Sequence, residues 1–325
     1  MSILERIAPE DPWMASMRRG DFDAAWRVAD RTLFERAGRP CWHLPRHFQY
    51  LWSGRPLGGR RVLVHYYHGL GDTIQFARYL PRLKAVASDV IVWAQPSLLP
   101  VLRSAGGIDL LLPLHDGDPG VERDEDVELM ELPHYFRSTL ATLPRDVPYL
   151  HVEPSNFGNF TFDRARLNVG LVWQSGTWDD RRSVPVSLLQ PLLDLPGVHW
   201  VVLQNGIRSV PGKTTACTCL GEHTVETAAR TMRGLDLVIT VDTLAAHLAG
   251  ALAVPTWTLL QAEPDWRWMR EREDSPWYPT MRLFRQRRAG DWEDVITRVV
   301  AALEQRMNSP IHLGGDDEPR TCTRC

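Results

Sequence analysis

In the stretch "HYYHGLGDTIQFARYLP" (65–81) an aspartate, Asp72, stands where the apolar run Val62–Val64 gives way to helical spacing. A carboxylate at the carboxyl end of a strand is placed for general-base work. Open α/β sheets bind ligands at those ends, and a helix amino terminus keeps a carboxylate ionised. The plainer reading is that Asp72 or Thr73 caps the helix. A second stretch, "LDLVITVDTLAAHLAGALAVP" (235–255), repeats the arrangement. A buried strand ends at Val241, Asp242 and Thr243 occupy the turn, and His247 follows in an apolar helix. Unpaired N–H groups and the positive dipole end of such a helix suit a diphosphate. Alternatively, Asp242 and Thr243 only cap, and His247 is an internal, hydrogen-bonded histidine.

Two further stretches carry weaker signals. "GLVWQSGTWDDRRSVP" (170–185) leaves a strand at Trp173 for a polar loop with Ser175, Arg181 and Arg182. Such a loop holds a phosphate through N–H groups, a hydroxyl and a guanidinium, unless Asp179 and Asp180 pair with the arginines. "EPDWRWMREREDSPWYP" (263–279) combines tryptophans with arginines. It can stack on a base or sugar, or pack two domains together.

These residues need a scaffold of alternating elements. Residues 12–37 read as helix, with Gly20-Asp21 as the corner of a hairpin. The hairpin has the size of one helical-repeat unit, without a second copy. From Arg61 onward, strands are expected at Val62–His65, Val90–Ala94 and Leu110–Leu112, with a weak one near Leu129. Helices are expected over Thr73–Val86 and Leu98–Ser104, and the acidic 116–128 as a solvated loop. After a proline-rich linker the alternation restarts. Strands are expected at Val169–Trp173, Trp200–Leu203, Leu237–Val241 and Thr256–Leu260, and helices at Ser187–Leu193, Thr224–Arg233, Leu244–Ala253 and Trp292–Met307. Alternation of this kind predicts two doubly wound parallel sheets whose carboxyl ends face one cleft. The expected organisation is a helical segment over 1–55, a first Rossmann-like domain over 56–150, a linker over 151–166, a second over 167–307 and a tail over 308–325.

A chain of 325 residues, 44% of them hydrophobic, suits two domains. A formal charge of -3 gives no electrostatic reason to expect nucleic acid. No export signal is read at "MSILERIAPEDPW", and the longest apolar stretch, 235–260, is interrupted by Asp236, Asp242 and His247. No transmembrane segment is expected, although peripheral membrane contact stays open. The five cysteines, odd in number, point to reduced thiols and a cytoplasmic setting. Cys217 and Cys219 with Cys322 and Cys325 have the makings of a four-thiolate site, but the second pair sits in a polar tail and no metal is expected.

Five motifs, taken in order, resemble glycosyltransferase family 9, the heptosyltransferase-like enzymes. They are "GLGDTIQFARYLP" (69–81), "VGLVW" (169–173), "RRSVP" (181–185), "LDLVITVDTLAAHLAGAL" (235–252) and "PDWRW…DSPWYPTMRLFRQ" (264–286). The resemblance is nearest to the branch linked to bacterial tetratricopeptide-repeat proteins. It implies a GT-B fold and inverting, metal-independent transfer of a sugar, with no cofactor beyond the nucleotide-sugar donor. Asp72 matches the catalytic base. Ser175, Arg182, Gln204, Asp242, Thr243 and His247 are the expected donor-side residues. Gly71, His68 and Gln75 are the acceptor-side candidates, with a saccharide or protein hydroxyl as acceptor. Leu244 stands where heptosyltransferases proper carry glycine, and Tyr67-His68 where the repeat-linked branch carries Glu-Gln. A catalytically silent relative that binds a nucleotide or partner is the alternative.

Overall fold

The computed structural model describes residues 11–154, 162–176, 179–210 and 216–308. It contains two wholly parallel sheets. The first is built from β1 (Arg61–His65), β2 (Asp89–Ala94), β3 (Leu110–Pro113) and β4 (Glu125–Glu128), in the order β3-β2-β1-β4. The second holds β5 (Leu167–Val172), β6 (Val198–Val202), β7 (Cys217–Cys219), β8 (Leu237–Val241), β9 (Thr256–Leu260) and β10 (Met281–Arg285). Its order is β10-β9-β8-β5-β6-β7. Every residue of β6, β8 and β9 is buried, as expected for parallel strands covered on both faces.

Three strands depart from the expectation. β4 replaces the end of the supposed solvated loop and pairs with β1 from Val62↔Glu125 to His65↔Glu128. Its acidic sequence hides a buried edge: Glu125 accepts from Ser53 Oγ at 2.8 Å and faces Arg55 and Arg60. β7 is only three residues long, and β10 extends the sheet beyond β9. The expected helix over 73–86 is broken into Leu70–Phe76, a 3₁₀ turn Ala77–Tyr79 and Leu80–Lys84. Pro81 lacks the N–H that would bond back one turn, so the chain tightens ahead of it. Pro100 and Pro191 shorten the helices Leu99–Leu102 and Gln190–Leu193 in the same way.

The amino-terminal hairpin comprises helices Pro12–Arg18 and Phe22–Arg36, capped by the side chains of Asp11 and Asp21. Gly20 between them takes φ 75°, which favours glycine. Trp26 Nε1 donates to Ser138 O at 2.7 Å, and Trp13 meets Trp266 edge-on at 5.1 Å. The hairpin therefore touches a segment that follows the first sheet and the β9–β10 connection of the second. Arg78 joins them more deeply. Its buried guanidinium donates to the carbonyls of Gln75, Pro144 and Trp277 and to Tyr149 Oη, over 2.6–3.1 Å. No described helix is long and apolar enough to cross a membrane.

Candidate active site

In each sheet the strand order reverses beside the first strand. β1 lies between β2 and β4, and β5 lies between β6 and β8. Connections leaving on either side of such a reversal diverge and open a crevice at the carboxyl ends. One cavity of about 600 Å³ is lined from both reversals. His68–Asp72 follow β1 and Met130 follows β4. Gly176, Asp179, Arg181 and Arg182 follow β5. Asp242–Leu244 and His247 follow β8, and Gln261, Glu263–Asp265 and Arg267 follow β9.

On the side of the second sheet, Thr243 begins the helix Leu244–Ala251 in an extended conformation, and its hydroxyl makes no cap bond. The first-turn N–H groups there are directed at the cavity end of the helix. Arg182 sits on a 3₁₀ turn, Asp180–Arg182, and donates from Nη1 to Asp242 O at 3.0 Å. Burial pushes the Asp242 carboxyl up to about 6, and nearby Asp265 adds to this while Arg182 and Arg267 oppose it. His247 bonds Tyr278 Oη through Nδ1 at 3.0 Å and stacks on Trp268. Burial, then the charges of Arg267, Arg78 and Arg182, hold its pKa well below the ordinary value, so the ring is neutral. His247 is hydrogen-bonded inside the protein and also lines the cavity.

Two donor-side candidates lie elsewhere. Ser175 is turned into its own loop, where its Oγ meets Gly176 O, Asp179 O and Ser183 Oγ, each at 3.2 Å. Gln204 Oε1 accepts from Gln174 N at 3.0 Å and ties β6 to β5. Neither lines the cavity. Arg181 is paired with Asp179 at 2.8 Å, as the plainer reading of that loop expects.

On the side of the first sheet, Asp72 is the third residue of the helix Leu70–Phe76. Its Oδ2 accepts from Gly69 N at 3.0 Å, half of a capping box. Asp72 therefore caps its helix and also faces the cavity. Its Oδ1 accepts from Arg267 Nη2 at 2.5 Å. Arg267 donates in addition to Asp265 Oδ1 at 2.8 Å and to Gln75 Oε1 at 2.7 Å. Burial works against the Arg267 charge, but Asp265 and Asp72 outweigh it and hold its pKa above the ordinary value. Gln75 is fully buried beneath the cavity and supports Arg267 instead of facing an acceptor.

Gly71 does line the cavity. A Cβ there would come within 2.8 Å of His247 Cδ2, so glycine lets the helices Leu70–Phe76 and Leu244–Ala251 touch. His68 also lines it, with Nε2 at 3.8 Å from Glu128 Oε2. Burial lowers the His68 pKa, against the pull of Asp72. Burial likewise pushes the Glu128 carboxyl up to about 8, although Met130 N donates to it at 2.6 Å.

Arg267, Asp265 and Glu128 are absent from the sequence-based candidates. Arg267 lies in the Trp- and Arg-rich stretch, whose composition is its only local signal. A larger recess of about 1010 Å³ lies on the other side of that stretch, against β10 and the helix Trp292–Asn308. It shares Arg18, Glu263 and Pro264 with the first cavity but contains none of Asp72, Arg182, Asp242, Thr243 or His247. Cys217 and Cys219 lie in β7, and burial pushes the Cys217 thiol up to about 12. Cys322 and Cys325 fall outside the described residues. Among the described residues no group of three or more His, Cys, Asp or Glu is placed to hold a metal ion.

The chain matches no protein-family model. It is 27% identical to the protein FlbA of Caulobacter vibrioides, over 78% of this chain and 48% of that protein. The chain thus spans about half the length of this curated relative. Among solved structures it superposes on a family 9 glycosyltransferase from Veillonella parvula with TM-score 0.56 and 13% identity, covering 77% of this chain and 98% of that one. ADP-heptose LPS heptosyltransferase II of E. coli gives 0.52 and 14%, over 75% and 99%. E. coli heptosyltransferase WaaC with ADP gives 0.50 and 13%, over 76% and 98%. The chain has the fold of the family 9 glycosyltransferases. At that identity the likeness is one of chain trace, and the side chains of the cavity have to be read for themselves.

Proposed function

We propose that the chain is a GT-B glycosyltransferase, its two Rossmann-like halves facing a cleft. It moves a heptose or another hexose-like sugar from a nucleotide-sugar donor to a saccharide or protein hydroxyl, with inversion and without a metal. The observation that carries this reading is that one cavity gathers Asp72 from one strand reversal and Arg182, Asp242, Thr243 and a helix amino terminus from the other. Asp72 takes the proton of the acceptor hydroxyl as that oxygen attacks the anomeric carbon. The bond to the diphosphate breaks on the opposite face, and its electron pair leaves on the diphosphate oxygen. The helix N–H groups, the Thr243 hydroxyl and Arg182 meet the developing charge.

The test is a thermal-shift screen of nucleotide sugars, ADP-heptose among them, because a ligand of the folded state alone raises its stability. Thr243→Val and Arg182→Ala should each weaken donor binding. Failure of every nucleotide sugar to shift the transition, or unchanged affinity in both variants, would overturn the reading.

A second reading is a nucleotide-binding relative without turnover. It draws on the engagement of both Asp72 oxygens, by Gly69 N and by Arg267. Donor hydrolysis in the absence of acceptor separates the two: the enzyme releases free sugar slowly, the silent relative not at all.

A further inference from the structure

We infer that Arg267 is the positioning residue for Asp72 and that Asp265 tunes it; this rests on Asp72 acting as the base of the proposed transfer. The two residues are 195 positions apart in sequence and come from opposite sides of the cavity. The guanidinium is engaged on three sides: Nη2 to Asp72 at 2.5 Å, Nη1 to Asp265 at 2.8 Å and Nε to Gln75 at 2.7 Å. Its plane is set further by the rings of Trp266 and Phe76, with centroids 4.5 and 5.5 Å away. The backbone that delivers it is also fixed. Trp277 Nε1 donates to Arg267 O at 2.9 Å. Met269 and Glu271, just beyond, take φ of 52° and 58°, a region that non-glycine residues seldom occupy.

Gln75 shows that this orientation has been built. It is fully buried, it gives Oε1 to Arg267, and its Nε2 has no hydrogen-bond partner among the described residues. Leaving a buried amide unpaired is costly, and the group gained in return is a guanidinium held in one plane. A clamp between the two sides would need only one carboxylate. Here two carboxylates share one cation, so the field at Asp72 is the attraction of Arg267 less the repulsion of Asp265. The titratable and charged groups around Asp72 also include His68 and Glu128, from the ends of β1 and β4, and Arg182, Asp242, His247 and Glu263 from the second-sheet side of the cavity.

In the reaction the fork turns Asp72 Oδ1 to one side, and the remaining lone pairs of the carboxylate receive the acceptor proton. A base has to be ionised to accept that proton. The acidic limb of the pH–rate profile reports that ionisation, so the two neighbours have opposite signatures. Removing Arg267 destabilises the anion and moves the limb to higher pH. Removing the Asp265 charge stabilises the anion and moves it to lower pH.

The experiment measures transfer from the donor selected by the thermal-shift screen, across pH, for wild type, Arg267→Gln, Arg267→Lys and Asp265→Asn. Arg267→Gln should lower kcat with little change in donor KM and shift the acidic limb upward. Arg267→Lys should restore most of the limb position but less of kcat, because the charge returns without the planar fork. Asp265→Asn, which leaves Arg267 in place and guards against misfolding of the Gln variant, should shift the limb downward. Asp242→Asn, run in parallel, marks any limb that belongs to Asp242. Limbs that stay in place in both Arg267→Gln and Asp265→Asn overturn the inference while leaving transferase activity standing. A raised donor KM at unchanged kcat in Arg267→Gln overturns it as well, in favour of a donor contact. A wild type that turns over no nucleotide sugar overturns the functional reading and takes this role of Arg267 with it.

Discussion

Asp72 carries three duties on one carboxylate: it caps a helix, pairs with Arg267 and faces the cavity. Asp72→Asn keeps an oxygen for the Gly69 N–H and removes both the charge and the basicity. The expected result is a loss of about 10²–10⁴ in transfer rate with donor affinity nearly unchanged. The same change should cost about 1–3 kcal/mol of stability, between the values for exposed and buried ion pairs. Turnover at the wild-type rate would remove Asp72 from the reaction. Glu128 makes a different prediction. Its folded pKa is raised from an ordinary 4.5 to about 8. The folded protein keeps a proton that the unfolded chain has already released, so stability is full below pH 4.5 and falls as pH rises toward 8. Glu128→Gln should flatten that part of the curve. Melting temperatures of the two proteins at pH 5 and pH 9 check it, and an unchanged difference between the pH values would contradict it. Asp72 and Asp242 are legible in the sequence because each follows an apolar run within a few residues. The Arg267–Asp72 pair is not, since no pattern within a window reports a contact 195 residues distant.

The helices Leu70–Phe76 and Leu244–Ala251 meet where Gly71 lets His247 approach. Gly71→Ala should force them apart or turn the His247 ring, with its bond to Tyr278. Overpacking of this sort typically costs about 1–3 kcal/mol. Donor affinity should fall with it, because the helix start at Thr243 is displaced. A stable Gly71→Ala protein with wild-type affinity would show that the contact is slack. Element by element, the strands at 62–65, 90–94, 237–241 and 256–260 were readable because β-branched and apolar residues run together there. β4 was legible only as the weak strand near Leu129, displaced by a few residues, because Glu-Asp-Val-Glu reads as a solvated turn. Its tertiary partners, Ser53, Arg55 and Arg60 on Glu125, and the local bond from Met130 N to Glu128, make burial tolerable. The helix breaks at Pro81, Pro100 and Pro191 were written in the chain, but the periodicity on either side masks them.

At the scale of the whole molecule, charge decides how the cavity meets an anion. Asp72 and Asp265 are taken up by Arg267, and Asp179 by Arg181. A divalent cation prefers oxygen ligands without competing cations, and a guanidinium stands against each of these carboxylates. Activity is therefore expected to persist in full with a chelator present. Loss of activity that returns with magnesium or manganese would show that this charge balance has been misjudged.

The joint at Arg78 has a consequence for exchanging parts between distant relatives. Three of its four acceptors are main-chain carbonyls, of Gln75, Pro144 and Trp277. A carbonyl is present whatever the residue, so through these three bonds the joint reads the course of the backbone, while the rings of Tyr149, Trp277 and Tyr278, 4.5–5.6 Å from the guanidinium, read side chains. The arginine, the hydroxyl of Tyr149 and these three rings are chemically specified. A chimaera that grafts the second sheet of one protein onto the first of another would keep this joint if the chain passes the same points and the arginine and its ring partners are kept. Halves whose sequences have drifted elsewhere would still be interchangeable at this joint.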